Sequence, residues 1–270
     1  MRVKRHTTCL PSDAISHSLC SPEKSVTRLG LHDRFALVVP TLNEAGNIET
    51  LLGMVQHALE PVGVNYEIII VDDGSSDGTA ELVQQYAEAD RRIRILARRG
   101  ERGLAGAVIH GWNHSDAELL GVIDADLQHP PDLLPELLAA IAEGCDIAIA
   151  SRYASKDGVR GWNPLRVAIS RASTWATLPL QRKGVRVKDP MSGFFIVRRK
   201  AIDGFSFEAK GFKLLLEILV RAHIFSAREI PYRFGRRRAG KSKAGAAVAF
   251  HYLQLLGKLS RDLFLRPSPQ

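Results

Sequence analysis

Two aspartates at the end of an apolar run are the first place where this sequence shows chemistry. In Leu119-Leu120-Gly121-Val122-Ile123-Asp124-Ala125-Asp126-Leu127-Gln128-His129-Pro130-Pro131, strand-forming residues give way to two carboxylates, and prolines then open a helix. The run is short and apolar throughout, which reads as a buried strand of a parallel sheet. Alternate residues of an extended chain point the same way, so Asp124 and Asp126 are expected to project together from the strand's carboxyl end. Open α/β sheets bind ligands at that end. Two carboxylates with room for phosphates and water suit Mg²⁺ or Mn²⁺ better than Zn²⁺. The competing expectation is that one aspartate ends the strand and the other caps the next helix.

Other strand ends carry acids as well. Glu44 follows the first expected strand, and Asp72 and Asp73 follow the second. Like charges gathered at neighbouring strand ends are costly unless a cation or ligand donors share the site. Pro40-Thr41-Leu42-Asn43-Glu44 is no GxGxxG loop, which argues against a dinucleotide-binding unit. Gly235-Arg236-Arg237-Arg238-Ala239-Gly240-Lys241-Ser242 matches the phosphate-loop pattern GxxxxGK[ST]. That loop needs a buried strand before it, whereas Ile230-Pro231-Tyr232-Arg233-Phe234 contains proline and arginine. The stretch serves better as a flexible basic loop that closes on phosphates. His129, alone before two prolines, is expected to be structural or to support the aspartates from behind rather than to act in catalysis.

The elements that must position these groups alternate. Strands are expected at residues 35–39 (stopped by Pro40), 66–71, 93–97 and 146–151, besides the central one ending at Asp124. Helices are expected at 44–57 (capped by Asn43), 79–89, 103–115 and 131–143. Such alternation implies an α/β fold with a mostly parallel sheet and right-handed crossovers. Beyond Arg152 three stretches have helical patterns: 164–180, 210–223 and 244–265. Amphipathic helices usually face a core. Three of them in a basic half make contact with a membrane surface a serious option.

Charge divides the 270-residue chain sharply. Residues 1–151 carry 12 Lys and Arg against 22 Asp and Glu, a balance of −10; residues 152–270 carry 25 against 7, a balance of +18. The second half therefore suits a polyanion or an anionic membrane. Cys9, Cys20 and Cys145 lack metal-ligand spacing, so a reduced cytosolic chain is expected. No segment reaches the ~20 apolar residues of a transmembrane helix, and no secretory signal is legible. Residues 1–33 are polar and aperiodic and read as a disordered extension.

Together these stretches resemble family 2 glycosyltransferases, specifically dolichyl (polyprenyl) phosphate mannose synthases. The resemblance rests on Pro40-Thr41-Leu42-Asn43-Glu44, Val71-Asp72-Asp73-Gly74-Ser75-Ser76-Asp77-Gly78-Thr79, the DADLQHPP stretch 124–131, and Ser151-Arg152-Tyr153. It continues through Asp189-Pro190-Met191-Ser192-Gly193-Phe194-Phe195, Lys210-Gly211-Phe212-Lys213-Leu214-Leu215-Leu216-Glu217 and Gly240-Lys241-Ser242-Lys243. It implies a GT-A nucleotide-sugar fold at 34–243, followed by an amphipathic helix and tail at 244–270.

What the resemblance implies can be placed on residues. Pro40, Leu42, Glu44, Val71 and Asp73 match positions that hold the donor nucleotide, GDP-mannose in this family, with Val71 contributing backbone only. Asp124, Ala125, Asp126 and Gln128 match the diphosphate and metal motif, again with backbone only from Ala125; Asp126 and Gln128 are the foremost metal ligands, with Asp124 beside them. Arg152, Arg166 and Ser170 match the acceptor-phosphate site, and Arg237 and Lys243 the loop that closes over the donor. Asp126, Arg152, Arg237 and Lys243 are thus the expected catalytic groups, with Mg²⁺ or Mn²⁺ as cofactor. The implied reaction transfers mannose to a polyprenyl or dolichyl phosphate with inversion, at the cytoplasmic face of a membrane. Many relatives carry C-terminal transmembrane helices, so this chain is expected on the membrane surface or with a membrane-protein partner. Leu42 stands where tyrosine is common and Lys241 where glutamate is frequent, which keeps a UDP-glucose donor open. Two other classes are a P-loop NTPase and a non-catalytic module binding lipid head groups or nucleic acid; on the enzyme reading no nucleic acid is expected.

Overall fold

A computed structural model of the chain describes residues 33–100, 103–155, 158–159, 163–181, 185–207, 213–235 and 254–261, the side chains of Leu165 and Arg166 excepted. The strand β1 (Arg34–Thr41) pairs in parallel with β2 (Asn65–Asp72) on one side and with the central strand β4 (Leu119–Val122) on the other. β3 (Ile93–Ala97) continues the parallel ladder beyond β2. Beyond β4, β6 (Phe195–Arg198) runs antiparallel between β4 and β5 (Ile147–Ser151), and β7 (Ala227–Pro231) pairs in parallel with β5. The order is β3-β2-β1-β4-β6-β5-β7, so the expected mostly parallel α/β sheet is present, with β6 the one reversed strand in it.

Helices cover both faces because the central strands are apolar on both. Residues 36–39 and 68–71 are wholly buried. One face packs against α1 (Ala45–Leu59), α2 (Thr79–Ala89) and α4 (Leu134–Ala142), through Ile48, Leu52, Val83, Leu137 and Ile141. The other packs against α3 (Leu104–Asn113), α6 (Arg199–Ile202) and α7 (Leu214–Arg221), through Val108, Trp112, Ile202, Leu215 and Leu219. Each large apolar side chain so buried contributes roughly 1.5–3 kcal/mol. α5 (Pro164–Thr177) extends into a 3₁₀ turn at Leu178–Leu180.

Four local expectations are corrected. Pro40 lies within β1, opposite Val71. Val38 accepts its ladder bond from the β4 side, where Ile123 donates, and β4 pairs no further than Val38. The missing N–H of Pro40 therefore faces a side with no partner to lose. Asn43 does not cap α1: it takes a left-handed φ of 60° and its Oδ1 accepts the Ser76 amide at 2.9 Å. The helix start is served from across the sheet instead, with Glu44 N donating to Thr79 Oγ1 and Ala45 N to Asp77 Oδ2. β4 stops at Val122, Ala125 and Asp126 form a turn and Leu127 has φ 58°, so strand alternation does not reach the two aspartates.

The fourth correction concerns the stretch 210–223. α7 is buried on every side from Leu214 to Val220, including Glu217, whose carboxylate receives Arg221 Nη1 at 2.6 Å. It is a core helix, not a surface one. Of the stretch 244–265, residues 254–261 are helical, and Leu259 packs on Leu180, Leu216 and Val220; the rest lies outside the described residues, as do residues 1–32.

Candidate active site

The sheet topology collects the candidate residues at one edge. β1, β2, β4, β5 and β7 all end there, and β6 begins there. That edge brings together Pro40 near the end of the β1 ladder, Leu42 and Glu44 after β1, Asp73 after β2, the 124–128 motif after β4, Arg152 after β5, Gly193 before β6, and Tyr232 after β7.

The acids at the end of β2 have separate tasks. Asp72 Oδ1 accepts Thr41 Oγ1 at 3.0 Å and Ser75 Oγ at 2.5 Å, while Oδ2 accepts the Gly74 and Ser75 amides. It shapes the turn, which also needs the positive φ of Gly74 and Gly78. Asp73 is buried and receives Arg98 Nε at 2.8 Å, Arg98 Nη2 at 3.3 Å and the Gly103 amide at 2.9 Å. α3 approaches closely enough that a Cβ on Gly106 would lie 2.6 Å from Arg98 Nη1. Val71 and Ala125 are buried in the core, so any contribution from them is through backbone. The Glu44 carboxylate accepts Asn47 Nδ2 at 2.8 Å.

The residues expected to hold a cation follow β4. Asp126 is buried and its Oδ1 accepts the Gln128 amide at 3.1 Å. Gln128 is clamped to the chain after β7, with Gly235 N donating to its carbonyl at 2.9 Å and its Nε2 donating to the Gly235 carbonyl at 3.2 Å. Asp124, a quarter exposed, fits a cradle only glycine allows: a Cβ on Gly193 would stand 2.6 Å from Asp124 Oδ2. Among the described residues no three His, Cys, Asp or Glu side chains stand close enough together to hold a cation by themselves. Two carboxylates and an amide oxygen fit Mg²⁺ or Mn²⁺, which take water and phosphate oxygens for the remainder.

His129 packs against Phe194, Tyr232 and Phe234, with ring centroids 5.4–5.9 Å away. Burial, with the Arg152 charge adding to it, pushes its pKa down to about 4. The imidazole is therefore neutral at pH 7, and its Nδ1 stands 3.7 Å from Asp124 Oδ2. It is thus packed in an aromatic wall and also stands beside Asp124.

On the other side of this aromatic wall lies Arg152. Burial alone would lower its pKa, but the hydrogen bonds and charge of Asp189 outweigh that and raise it. Asp189 is fully buried and accepts Arg152 N at 2.9 Å, Nε at 2.7 Å and Nη2 at 2.6 Å. The guanidinium lies 5.5 Å from the Phe234 ring and 5.8 Å from that of Tyr153. Tyr153 in turn donates to Ser170 Oγ on α5 at 2.5 Å, linking the residue after Arg152 to one of the expected acceptor residues. Arg166 lies on α5, but its side chain is outside the described residues, and so are Arg237 and Lys243. Lys213, just before α7, feels the Arg152–Asp189 pair, and burial together with Arg152 pushes its pKa down to about 8.

Sequence reading gave no role to Asp189, Arg98, Lys213, Thr41 or Tyr153. Asp189, Thr41, Tyr153 and Lys213 stand within the motifs given above without a role of their own, and Arg98 lies outside them. The phosphate-loop reading lacks the buried strand it needs, because among the described residues β7 lies at the sheet edge and pairs with β5 alone. The edge as built offers a carboxylate-lined side for a cation with an anionic leaving group and, beside it, buried cations for a second anion.

Comparison with known proteins gives this edge a family. Residues 36–205 match the model of glycosyl transferase family 2. Three relatives are named dolichol-phosphate mannosyltransferase. The Pyrococcus furiosus protein is 37% identical over 228 residues, covering 84% of this chain and 64% of that one. The Mycosarcoma maydis protein is 35% identical, covering 85% and 80%, and the Saccharomyces cerevisiae protein 33% identical, covering 83% and 86%. This chain thus spans under two thirds of the archaeal relative. Glucosyl-3-phosphoglycerate synthase from Mycobacterium tuberculosis has a similar fold. Its complex with Mn²⁺, UDP-glucose and glycerol 3-phosphate superposes with TM-score 0.66 at 17% identity, covering 93% of this chain and 88% of that one. Its complex with Mn²⁺, UDP and glucosyl-3-phosphoglycerate gives TM-score 0.63 at 18% identity, covering 92% and 88%. This chain belongs to glycosyl transferase family 2 and has its GT-A fold.

Proposed function

We propose that the chain transfers mannose from GDP-mannose to a polyprenyl or dolichyl phosphate, inverting the anomeric carbon, in a catalytic domain spanning 34–243. The observation that carries this reading is that Asp124, Asp126 and Gln128 after β4 and the largely buried Arg152 after β5 lie at one sheet edge. The names of the three relatives support a lipid phosphate as acceptor.

On this reading Pro40, Leu42, Glu44, Asp73 and the backbone of Val71 and Ala125 hold the nucleotide, and Asp124, Asp126 and Gln128 hold Mg²⁺ or Mn²⁺ when it is bound. Such a cation offsets charge on a departing diphosphate. A phosphate oxygen of the acceptor forms the new bond to the anomeric carbon as the bond from that carbon to the diphosphate breaks. The acceptor's second pKa is near ~6, so at neutral pH it is a dianion and needs no general base. His129, held neutral and enclosed, is not asked for one. Arg152, fixed by Asp189, orients the incoming phosphate together with Ser170 and Arg166, while Arg237 and Lys243 close on the donor diphosphate.

The helix α5 supports a peripheral position on a membrane. Its hydroxyl residues point inward: Thr174 and Thr177 are buried and Ser170 meets Tyr153. Five of its apolar residues point outward: Ile169 is 59% exposed and Trp175 69%, with Ala168, Ala172 and Ala176 exposed beside them. That is the reverse of a helix facing water and suits insertion among lipid head groups, with exposed Arg171 at the charged boundary. Among the described residues no helix is long and apolar enough to cross a membrane. Donor identity is tested by calorimetry with GDP and UDP in the presence of Mn²⁺. Tighter binding of GDP supports the mannose reading, and tighter binding of UDP replaces it with a UDP-sugar.

A further inference from the structure

The segment 185–189 belongs to no helix or strand, yet it delivers the carboxylate that grips Arg152. It is held from β7. Glu229 accepts two consecutive amides, Lys188 N on Oε2 at 2.8 Å and Asp189 N on Oε1 at 3.0 Å. Asp189 passes the constraint on through its three bonds to Arg152. Arg152 follows β5, and β5 pairs with β7 from Ile147↔Ala227 to Ser151↔Pro231, so the constraints form a closed ring. Two charge-assisted bonds to adjacent amides fix both position and rotation of that backbone.

We propose that Glu229, which need never touch a substrate, is a positioning residue for the acceptor phosphate: it holds the 188–189 backbone so that Asp189 orients the Arg152 guanidinium. This rests on the reading of Arg152 as an acceptor-phosphate residue.

The test is steady-state transfer to a short polyprenyl phosphate in detergent, varying donor and acceptor separately. Glu229→Ala is expected to raise the acceptor KM about tenfold while the donor KM stays within twofold. Glu229→Gln, which keeps one acceptor oxygen, is expected to fall between, and serves if the alanine variant does not fold. In an Arg152→Lys background the Glu229 substitution is expected to add little, because the group it orients has gone. A folded Glu229 variant with unchanged acceptor KM overturns the proposal, as does an equal rise in both KM values or full additivity with Arg152→Lys. If Arg152→Lys itself leaves the acceptor KM unchanged, the acceptor reading falls and this proposal with it. If Arg152→Lys raises that KM and no Glu229 variant does, only this proposal falls.

Discussion

Gly193→Ala isolates the geometry of the metal motif with one methyl group. Gly193 has no positive φ, so alanine meets no backbone strain there. The new Cβ would stand 2.6 Å from Asp124 Oδ2, 3.1 Å from its Cγ and 3.3 Å from Oδ1. Relief to an ordinary contact needs a displacement of about 0.7 Å, since carbon–oxygen contacts rarely close below ~3.3 Å. Asp124 has little room to take it, because its Oδ2 already faces His129 Nδ1 at 3.7 Å and three aromatic rings hold that imidazole. A shift of ~0.7 Å is several times the ~0.2 Å latitude of a metal–ligand distance. Changes of this kind beside a ligand lower metal affinity roughly 10- to 100-fold. Overpacking costs about 1–3 kcal/mol, partly offset by ~0.4–1 kcal/mol from the stiffer unfolded chain, so the variant is expected to fold. The assay is calorimetric titration of Mn²⁺ with GDP present, with Gly53→Ala as control because nothing lies within 4 Å of its Cβ. A folded Gly193→Ala protein that binds Mn²⁺ within twofold of wild type refutes the assignment of Asp124 to the metal site.

Further outcomes follow from the other contacts. Arg98→Met leaves the buried Asp73 carboxylate without its ion pair and is expected to cost about 3–5 kcal/mol in urea unfolding; a loss under ~1 kcal/mol contradicts the pair's structural weight. Lys213 has a folded pKa of about 8 against an ordinary value of 10.5. Between these values the unfolded chain binds more protons, so this lysine makes stability rise with pH through 8–10.5 and fall to a plateau below 8. Lys213→Met is therefore expected to be more stable than wild type by on the order of 1–2 kcal/mol at pH 7, the gain vanishing near pH 10.5; a pH-independent difference argues against a desolvated ammonium. Trp175→Glu is expected to abolish sedimentation with phosphatidylcholine–phosphatidylglycerol vesicles while leaving transfer in detergent intact, and unchanged vesicle binding removes α5 from the membrane surface.

Local pattern carried the architecture further than it carried the partners. Residues 79–89 and 93–97 form their helix and strand as the apolar spacing predicts, because those elements need only bury one side against the sheet. Asn43 misled because a good local cap lost to Ser76, 33 residues away, and that choice is visible only once β1 and β2 lie side by side. The stretch 210–223 misled for a related reason. Basic residues flank α7, but Glu217 and Arg221 neutralise each other, so the helix could be buried whole. Within the site, the motif residues were legible as chemistry, while Asp189, Arg98 and Glu229 were not. Their work is to hold other side chains, and only distances reveal it.

The reading as a whole is tested most directly by transfer of radiolabel from GDP-mannose, with UDP-glucose in parallel, to a short polyprenyl phosphate in detergent. It is run with Mg²⁺, with Mn²⁺ and with EDTA, on wild type and on Asp126→Ala. Metal-dependent labelling of the lipid from GDP-mannose, lost in Asp126→Ala, is the expected result. Labelled lipid from UDP-glucose alone contradicts the donor assignment, and no labelled lipid from either donor contradicts the polyprenyl-phosphate transferase itself.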